Sequence, residues 1–316
     1  MPSSSPVGVV VATRNRSARL LATLEQLGEL PERPRVVVVD NASSDGTPDA
    51  VHARHPEVEL VPLRRNLGAA ARTIGARRLD APFVAFSDDD SWWAPGALAR
   101  AAGLFEAHPK LGLLASRILV GSEQRLDPTC EAMARSPLPR DDSLPGPAVF
   151  GFVACGAVVR RQAFLAAGGF HPRLCLGAEE TLLSFDLATA GWQLAYVDEV
   201  VAHHHPDPGP RDGRSAMAQR NLLWAAWLRL PFRLAARETH AAFARACDDP
   251  SARAALGAAL HGVPWVARER RCVAADVADA YTRTRGPAWP RATRERPRTT
   301  TRSAAGSRST AAHPPP

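Results

Sequence analysis

Three consecutive carboxylates, Asp88, Asp89 and Asp90, stand one residue, Ser87, beyond the apolar run Phe83–Phe86. Held at the end of one strand they repel each other, and a shared cation relieves that repulsion. All-oxygen donors suit Mg2+ or Mn2+. The same residues also suit a solvated turn into the next helix, for which Pro95 supplies a first-turn residue. A second acidic pair, Glu179-Glu180, opens a helical pattern that closes at Ala190-Gly191. A carboxylate there can deprotonate a hydroxyl, each of the two raises its neighbour's pKa, and both also complement the helix dipole. Thr13-Arg14-Asn15-Arg16 gathers hydroxyl, amide and guanidinium groups at a helix N-terminus, a setting for an anion or a nucleotide edge. Asp40 ends the next strand as an acceptor for a ribose hydroxyl or a base N–H, and Asn41 begins the turn that follows. Of His203-His204-His205, alternate residues face opposite ways on an extended chain, so one or two at most serve a single site.

The elements that must position these residues alternate in kind. Short β-branched runs at Val7–Ala12, Val36–Val39, Val58–Leu63 and Phe83–Phe86 are followed by helical patterns at Leu20–Leu27, Thr47–Arg54, Ala69–Leu79 and Pro95–His108. Such a βαβ series predicts a mostly parallel sheet flanked by helices, in which ligands bind at the carboxyl ends of the strands. Every polar cluster named above lies at such an end. From Leu111 to Leu144 the prolines predict a long connection, a lid or acceptor loop, rather than regular elements. Order returns at Val149–Val159, with helices at Arg161–Ala167 and Ala178–Ala190 and a strand at Gln193–Val197. Beyond a Pro/Gly/Asp hinge at Pro206–Gly213, four helices are expected at Ser215–Leu230, Leu234–Cys247, Ser251–Leu260 and Trp265–Tyr281. The chain thus divides into an α/β domain (1–210), a helical extension (211–282) and a polar, basic tail (283–316) whose composition predicts disorder.

The ordered set Val9–Arg16, Val38–Thr47, Asn66-Leu67-Gly68 with Arg72, and Asp88–Asp90 with Pro95 resembles the family 2 glycosyltransferases of GT-A fold, over roughly residues 6–206. That resemblance implies a Rossmann-like GT-A domain performing inverting transfer of a sugar from a nucleoside diphosphate sugar, with Mg2+ or Mn2+ on the diphosphate. By position it implies base and ribose contacts at Thr13 and Asp40, with Arg14 and Asn41 beside them. Arg72 or Arg16 becomes a diphosphate or base neighbour. Asp88–Asp90 becomes the D-x-D motif, with Asp90 on the metal and Asp88 or Asp89 on the ribose. Gly156–Arg161 through Gly168-Gly169-Phe170 resembles the segment leading to the acceptor face. Glu179-Glu180 resembles the family's Glu-Asp pair, with Glu180 as the base. The histidines stand where the family carries a metal-side imidazole, so His203 or His204 joins the metal set.

Composition narrows the partners. Of 316 residues, 45% are hydrophobic and 22% charged, which is globular usage. The net charge of +7 resides in Arg283–Pro316, where eight arginines face Glu295 alone, so the body is neutral and carries no basic stripe for nucleic acid. Five scattered cysteines without a C-x-x-C pair argue against a disulfide framework or a zinc ribbon and favour a reducing, cytoplasmic setting. No signal peptide or membrane span is expected. The acceptor is expected to be a glycan, a lipid-linked sugar or a small molecule. The apolar helix Asn221–Leu230 has two readings, packing on the catalytic domain or peripheral docking at the inner membrane face with the arginine tail on anionic headgroups. A nucleotidyltransferase stands second, although neither G-x-G-x-x-G nor a Walker A loop follows the first strand. A catalytically inactive nucleotide-sugar-binding scaffold stands third.

Overall fold

The computed structural model describes residues 5–207 and 214–285, so most of the predicted hinge and all but the first three residues of the predicted disordered tail lie outside the described residues, while Arg283 and Thr284 belong to the last helix instead. Four strands, β1 (Val7–Thr13), β2 (Val36–Asp40), β3 (Glu59–Pro62) and β4 (Phe83–Asp88), alternate with helices α1 (Ser17–Gly28), α2 (Thr47–Arg54) and α3 (Ala71–Arg78). They pair in parallel in the order β3-β2-β1-β4. Valines 9, 10, 11, 37, 38 and 39 are fully buried, as expected where helices cover both faces of a parallel sheet. Thr13, Asp40 and Asp88 therefore end neighbouring strands on one edge.

The sheet continues through β5 (Ser91–Trp93), β6 (Leu111–Val120), β7 (Arg125–Leu126), β8 (Ala157–Arg160) and β9 (Gln193–His204), reaching the order β3-β2-β1-β4-β8-β6-β9-β5 with β7 on β6. Helices α4 (Ala97–Ala107), α5 (Pro128–Ala134), α6 (Arg161–Ala166) and α7 (Glu179–Thr189) complete this layer.

Four expectations are corrected here. The predicted connection after Leu111 begins as a ten-residue, largely buried strand, because the apolar residues on either side of Ser116-Arg117 leave no clear alternation for periodicity to resolve. Pro95 is not the first residue of α4; it precedes Gly96, the left-handed N-cap, because β5 occupies the residues between the acidic turn and the helix. The strand predicted to end at Val197 runs on to His204 across a register shift, with Asp198 and Glu199 exposed in mid-strand and hiding the pattern. The single helix expected over Trp265–Tyr281 is two, α11 (Val263–Glu269) and α12 (Ala275–Thr284).

That last break has a tertiary cause. Between the two helices, the Arg271 and Val273 amides donate to the carbonyls of Leu228 and Arg229 at 2.9 and 2.8 Å, and Arg270 Nη2 donates to Leu230 at 2.6 Å. The segment leaves helical geometry to satisfy the open carbonyl end of α8 (Arg214–Arg229). With α9 (Phe232–Asp248) and α10 (Pro250–His261), α8 forms the C-terminal layer. Leu223, Trp224, Leu228 and Leu230 of the apolar helix are buried against Leu174, Leu182 and Phe185 of the α/β layer. Packing accounts for the buried apolar side chains of that helix. Among the described residues no helix is long and apolar enough to cross a membrane.

Candidate active site

At the end of β4 the three carboxylates are met by arginines. Arg72, buried on α3, pairs with Asp88. Arg16 donates through Nη1 to Asp89 at 2.7 Å and to Asp90 at 2.9 Å, and its other nitrogen pairs with Asp207. Thr13 Oγ1 donates to Asp89 at 2.9 Å. The repulsion expected to demand a cation is thus relieved in large part by Arg16 and Arg72, and those two side chains are engaged with carboxylates rather than standing open for a diphosphate. Burial pushes the Asp89 pKa up to about 6 against the opposing Arg16 charge. Burial also acts to raise Asp90, but His204 and Arg16 outweigh it and hold that carboxyl below its ordinary range.

β9 supplies the imidazole. His204 lies opposite Ser91, with Nε2 3.3 Å from Asp90 Oδ1. Burial would lower its pKa, yet the Asp90 carboxylate raises it. His203 does not join this group. One residue along the strand, it turns to the other face and stacks on Trp92 at 5.7 Å between ring centroids. Sequence reasoning passed over Cys155, in a 3-10 turn (Ala154–Gly156) that leads into β8. Its Sγ, an Asp88 oxygen and a His204 ring nitrogen lie within 4.8 Å of one another. Asp90 Oδ1 is buried and makes no hydrogen bond. A buried carboxylate oxygen whose near partner is an imidazole, with a second carboxylate beside them, is a donor set that fits a divalent cation.

The neighbouring strand ends form a tied pair of loops. Asp40 accepts from the Ser43 amide at 3.0 Å and from the Ser43 hydroxyl; Ser43 Oγ accepts from Asn15 N at 2.8 Å, and Asn15 Oδ1 accepts from Ser44 N at 2.7 Å. Asn41 accepts from Leu67 N at 3.0 Å and donates to the Gly68 carbonyl at 3.4 Å. Arg14 is exposed on the same edge. Thr13, Arg14, Arg16, Asp40, Asn41, Arg72, Asp88 and Asp89 are therefore gathered along one rim.

α7 brings up the acidic pair. Glu179 is buried, with Oε2 lacking a hydrogen-bond partner, and burial together with the Glu180 charge lifts its pKa well above the carboxylate range. Glu180 is half-buried and is raised mainly by burial. Arg72, paired with Asp88, is the nearby positive charge that opposes both shifts. Two contacts fix the loop ahead of α7. The Ala69 amide donates to the Cys175 carbonyl at 2.7 Å, an approach that only a glycine permits beside it: a Cβ on Gly68, at φ +57, would stand 1.9 Å from that oxygen. From α8, Asn221 Nδ2 faces the carbonyls of Leu174, Leu176 and Gly177 at 3.2, 2.9 and 2.8 Å. Asn221 is fully buried, and its sequence neighbours alone marked it as part of a packing helix.

The glycosyl transferase family 2 model matches residues 8–166, which holds the strand ends and the acidic turn. The N-acetylglucosaminyl-diphospho-decaprenol L-rhamnosyltransferase of Mycobacterium tuberculosis is 30% identical over 244 residues, 66% of this chain and 80% of that one. Among solved structures, mannosyltransferase PcManGT from Pyrobaculum calidifontis, in complex with GDP-Man and Mn2+, superposes with a TM-score of 0.53 at 24% identity, covering 82% of this chain and 76% of its own. S. aureus TarS 1-349 with UDP-GlcNAc gives 0.55 at 17% identity, covering 80% and 71%. These likenesses show the GT-A fold. With half the chain under the family model and a relative at this identity, the chain is a member of glycosyltransferase family 2.

Proposed function

We propose that this glycosyltransferase moves a hexose or deoxyhexose from a nucleoside diphosphate sugar, with UDP or dTDP as the nucleotide, to a hydroxyl of a lipid-linked sugar, with inversion at the anomeric carbon. The observation that carries this reading is the convergence of the acidic turn, His204 and the Glu179-Glu180 pair around Arg72 on the rim that also holds Thr13 and Asp40. A lipid-linked acceptor is favoured by the M. tuberculosis relative, whose name places its sugar on a diphospho-decaprenol.

In this reading Thr13, Asp40 and Asn41 orient the base and ribose. Arg14, exposed on the rim, meets the diphosphate, and Arg16 and Arg72 keep the acidic turn in place. When held by Asp88, Asp90 and His204, Mg2+ or Mn2+ would offset the charge that develops on the leaving diphosphate. Glu180, more accessible than Glu179, takes the proton of the acceptor hydroxyl as that oxygen attacks the anomeric carbon from the face opposite the diphosphate. Its raised pKa makes it a stronger base than a solvated carboxylate and moves the acid limb of the rate profile upward in pH.

Calorimetric titration of UDP, dTDP, GDP and CDP, each with and without Mn2+, tests the donor half. One nucleotide is expected to bind tightly only with the metal; no binding by any of them removes the reading. In the same assay Glu180→Gln is expected to bind that nucleotide like the native chain while transfer falls by about 10² to 10⁴-fold. Near-normal transfer by this variant would put the base elsewhere.

A further inference from the structure

We infer that Cys155 is a cation ligand, completing with Asp88 and His204 a mixed carboxylate–imidazole–thiolate site that takes softer divalent ions such as Co2+ and Zn2+ in preference to Mg2+. The inference deepens the reading of a divalent-cation site and rests on it. The three ligand atoms lie within 4.8 Å of one another, and Cys155 is buried. In a tetrahedral zinc site, bond lengths near 2.0–2.3 Å put neighbouring donors about 3.5 Å apart, against at most 4.8 Å here.

Two further observations point into the cluster. Asp90 Oδ1, buried and without a hydrogen bond, lies 3.3 Å from the His204 nitrogen, ready as a fourth donor. The two buried thiols also differ. Cys130 is accounted for as a core group, since its sulfur accepts from Ile118 N at 3.3 Å and donates to the Ser116 carbonyl at 3.5 Å. Among the described residues Cys155 has no such partner, and its sulfur faces Asp88 and His204 instead. Carboxylate oxygens alone favour Mg2+ or Mn2+, whereas imidazole and thiolate shift preference along the series toward Co2+ and Zn2+. On binding, the sulfur lone pair forms the bond to the metal and the thiol proton passes to water.

Cobalt(II) absorption tests this with a readout independent of transfer. The full-length chain is used with the exposed thiols removed as C247S and C272S. Co2+ is expected to give visible d–d bands together with a near-ultraviolet thiolate-to-cobalt charge-transfer band. Cys155→Ser should abolish the charge-transfer band and weaken Co2+ by about tenfold or more, leaving Mg2+ affinity unchanged, whereas Cys175→Ser should keep the band. Cys155→Ala replaces the serine variant if the latter does not fold. Visible bands without charge transfer, or a charge-transfer band that survives in Cys155→Ser, overturn the thiol ligand while the carboxylate–imidazole cation site stands. Absence of any cobalt spectrum overturns both.

Discussion

Glu179 and Glu180 are adjacent in sequence and differ in what surrounds them. Glu180 keeps an open side, while Glu179 is enclosed with an oxygen left unpaired and Arg72 as its nearby positive charge. Burial raises the folded-state pKa of Glu179, so the folded protein binds its proton more tightly than the unfolded chain does. Its contribution to stability is then fully present below the unfolded value of about 4.3 and is lost as pH rises through the raised folded value. Glu179→Gln removes a charge that is costly to bury. The variant is expected to unfold at a higher temperature than the native protein at about pH 8, with the gap closing by about pH 4. Thermal melts of both proteins across that interval check it. Parallel curves at every pH would mean that Arg72 compensates the ionised carboxylate in full.

At the scale of elements, the loop before α7 is held from two sides, by the Gly68 turn and by Asn221 of α8. Asn221→Ala removes the donor from three carbonyls, two of them close partners, and leaves them unsatisfied inside the protein. A loss of about 2–3 kcal/mol is expected. Because the same loop leads into α7, whose first turn carries Glu180, transfer should lose kcat while nucleotide affinity stays near native. Chemical denaturation together with the nucleotide titration separates the two effects; a loss of affinity equal to the loss of kcat would show that the loop serves the donor instead.

The legibility of these elements differs for physical reasons. The βαβ half was readable because each valine-rich run ends in a polar cluster, and the same clusters marked the rim. β6 was missed because its apolar residues fall on both faces around Ser116-Arg117 and show no alternation, and β5 because Ser91–Trp93 is too short for periodicity. The opposed faces of His203 and His204 followed from strand alternation, but which of them meets Asp90 depended on the register of β9 against β5. Cys155 and Asn221 have no local signature, since their roles come from chain segments far away in sequence.

At the scale of the whole molecule, the α/β layer and the C-terminal helices share apolar clusters. Phe150 and Phe185 pack with Leu230, Val277 and Tyr281, and Leu174 and Leu182 pack with Trp224 and Leu256. Much of the apolar face of α8 that one sequence reading offers to a membrane is consumed in these clusters. Charge is a second source of attraction: the net +7 leaves only +2 on residues 1–285, whereas residues 286–316 carry six arginines against Glu295. A basic residue near an anionic surface contributes about 1 kcal/mol, and screening confines the effect to about 8 Å at physiological salt. The full chain is therefore expected to sediment with vesicles containing anionic lipid, to release as salt rises, and to ignore neutral vesicles. A chain ending at Arg285 should lose that binding while keeping the melting temperature and nucleotide affinity of the full chain. If the shortened chain sediments equally well, the contact lies on the folded body, where Phe232 and Phe243 of α9 are the exposed aromatic side chains to substitute next.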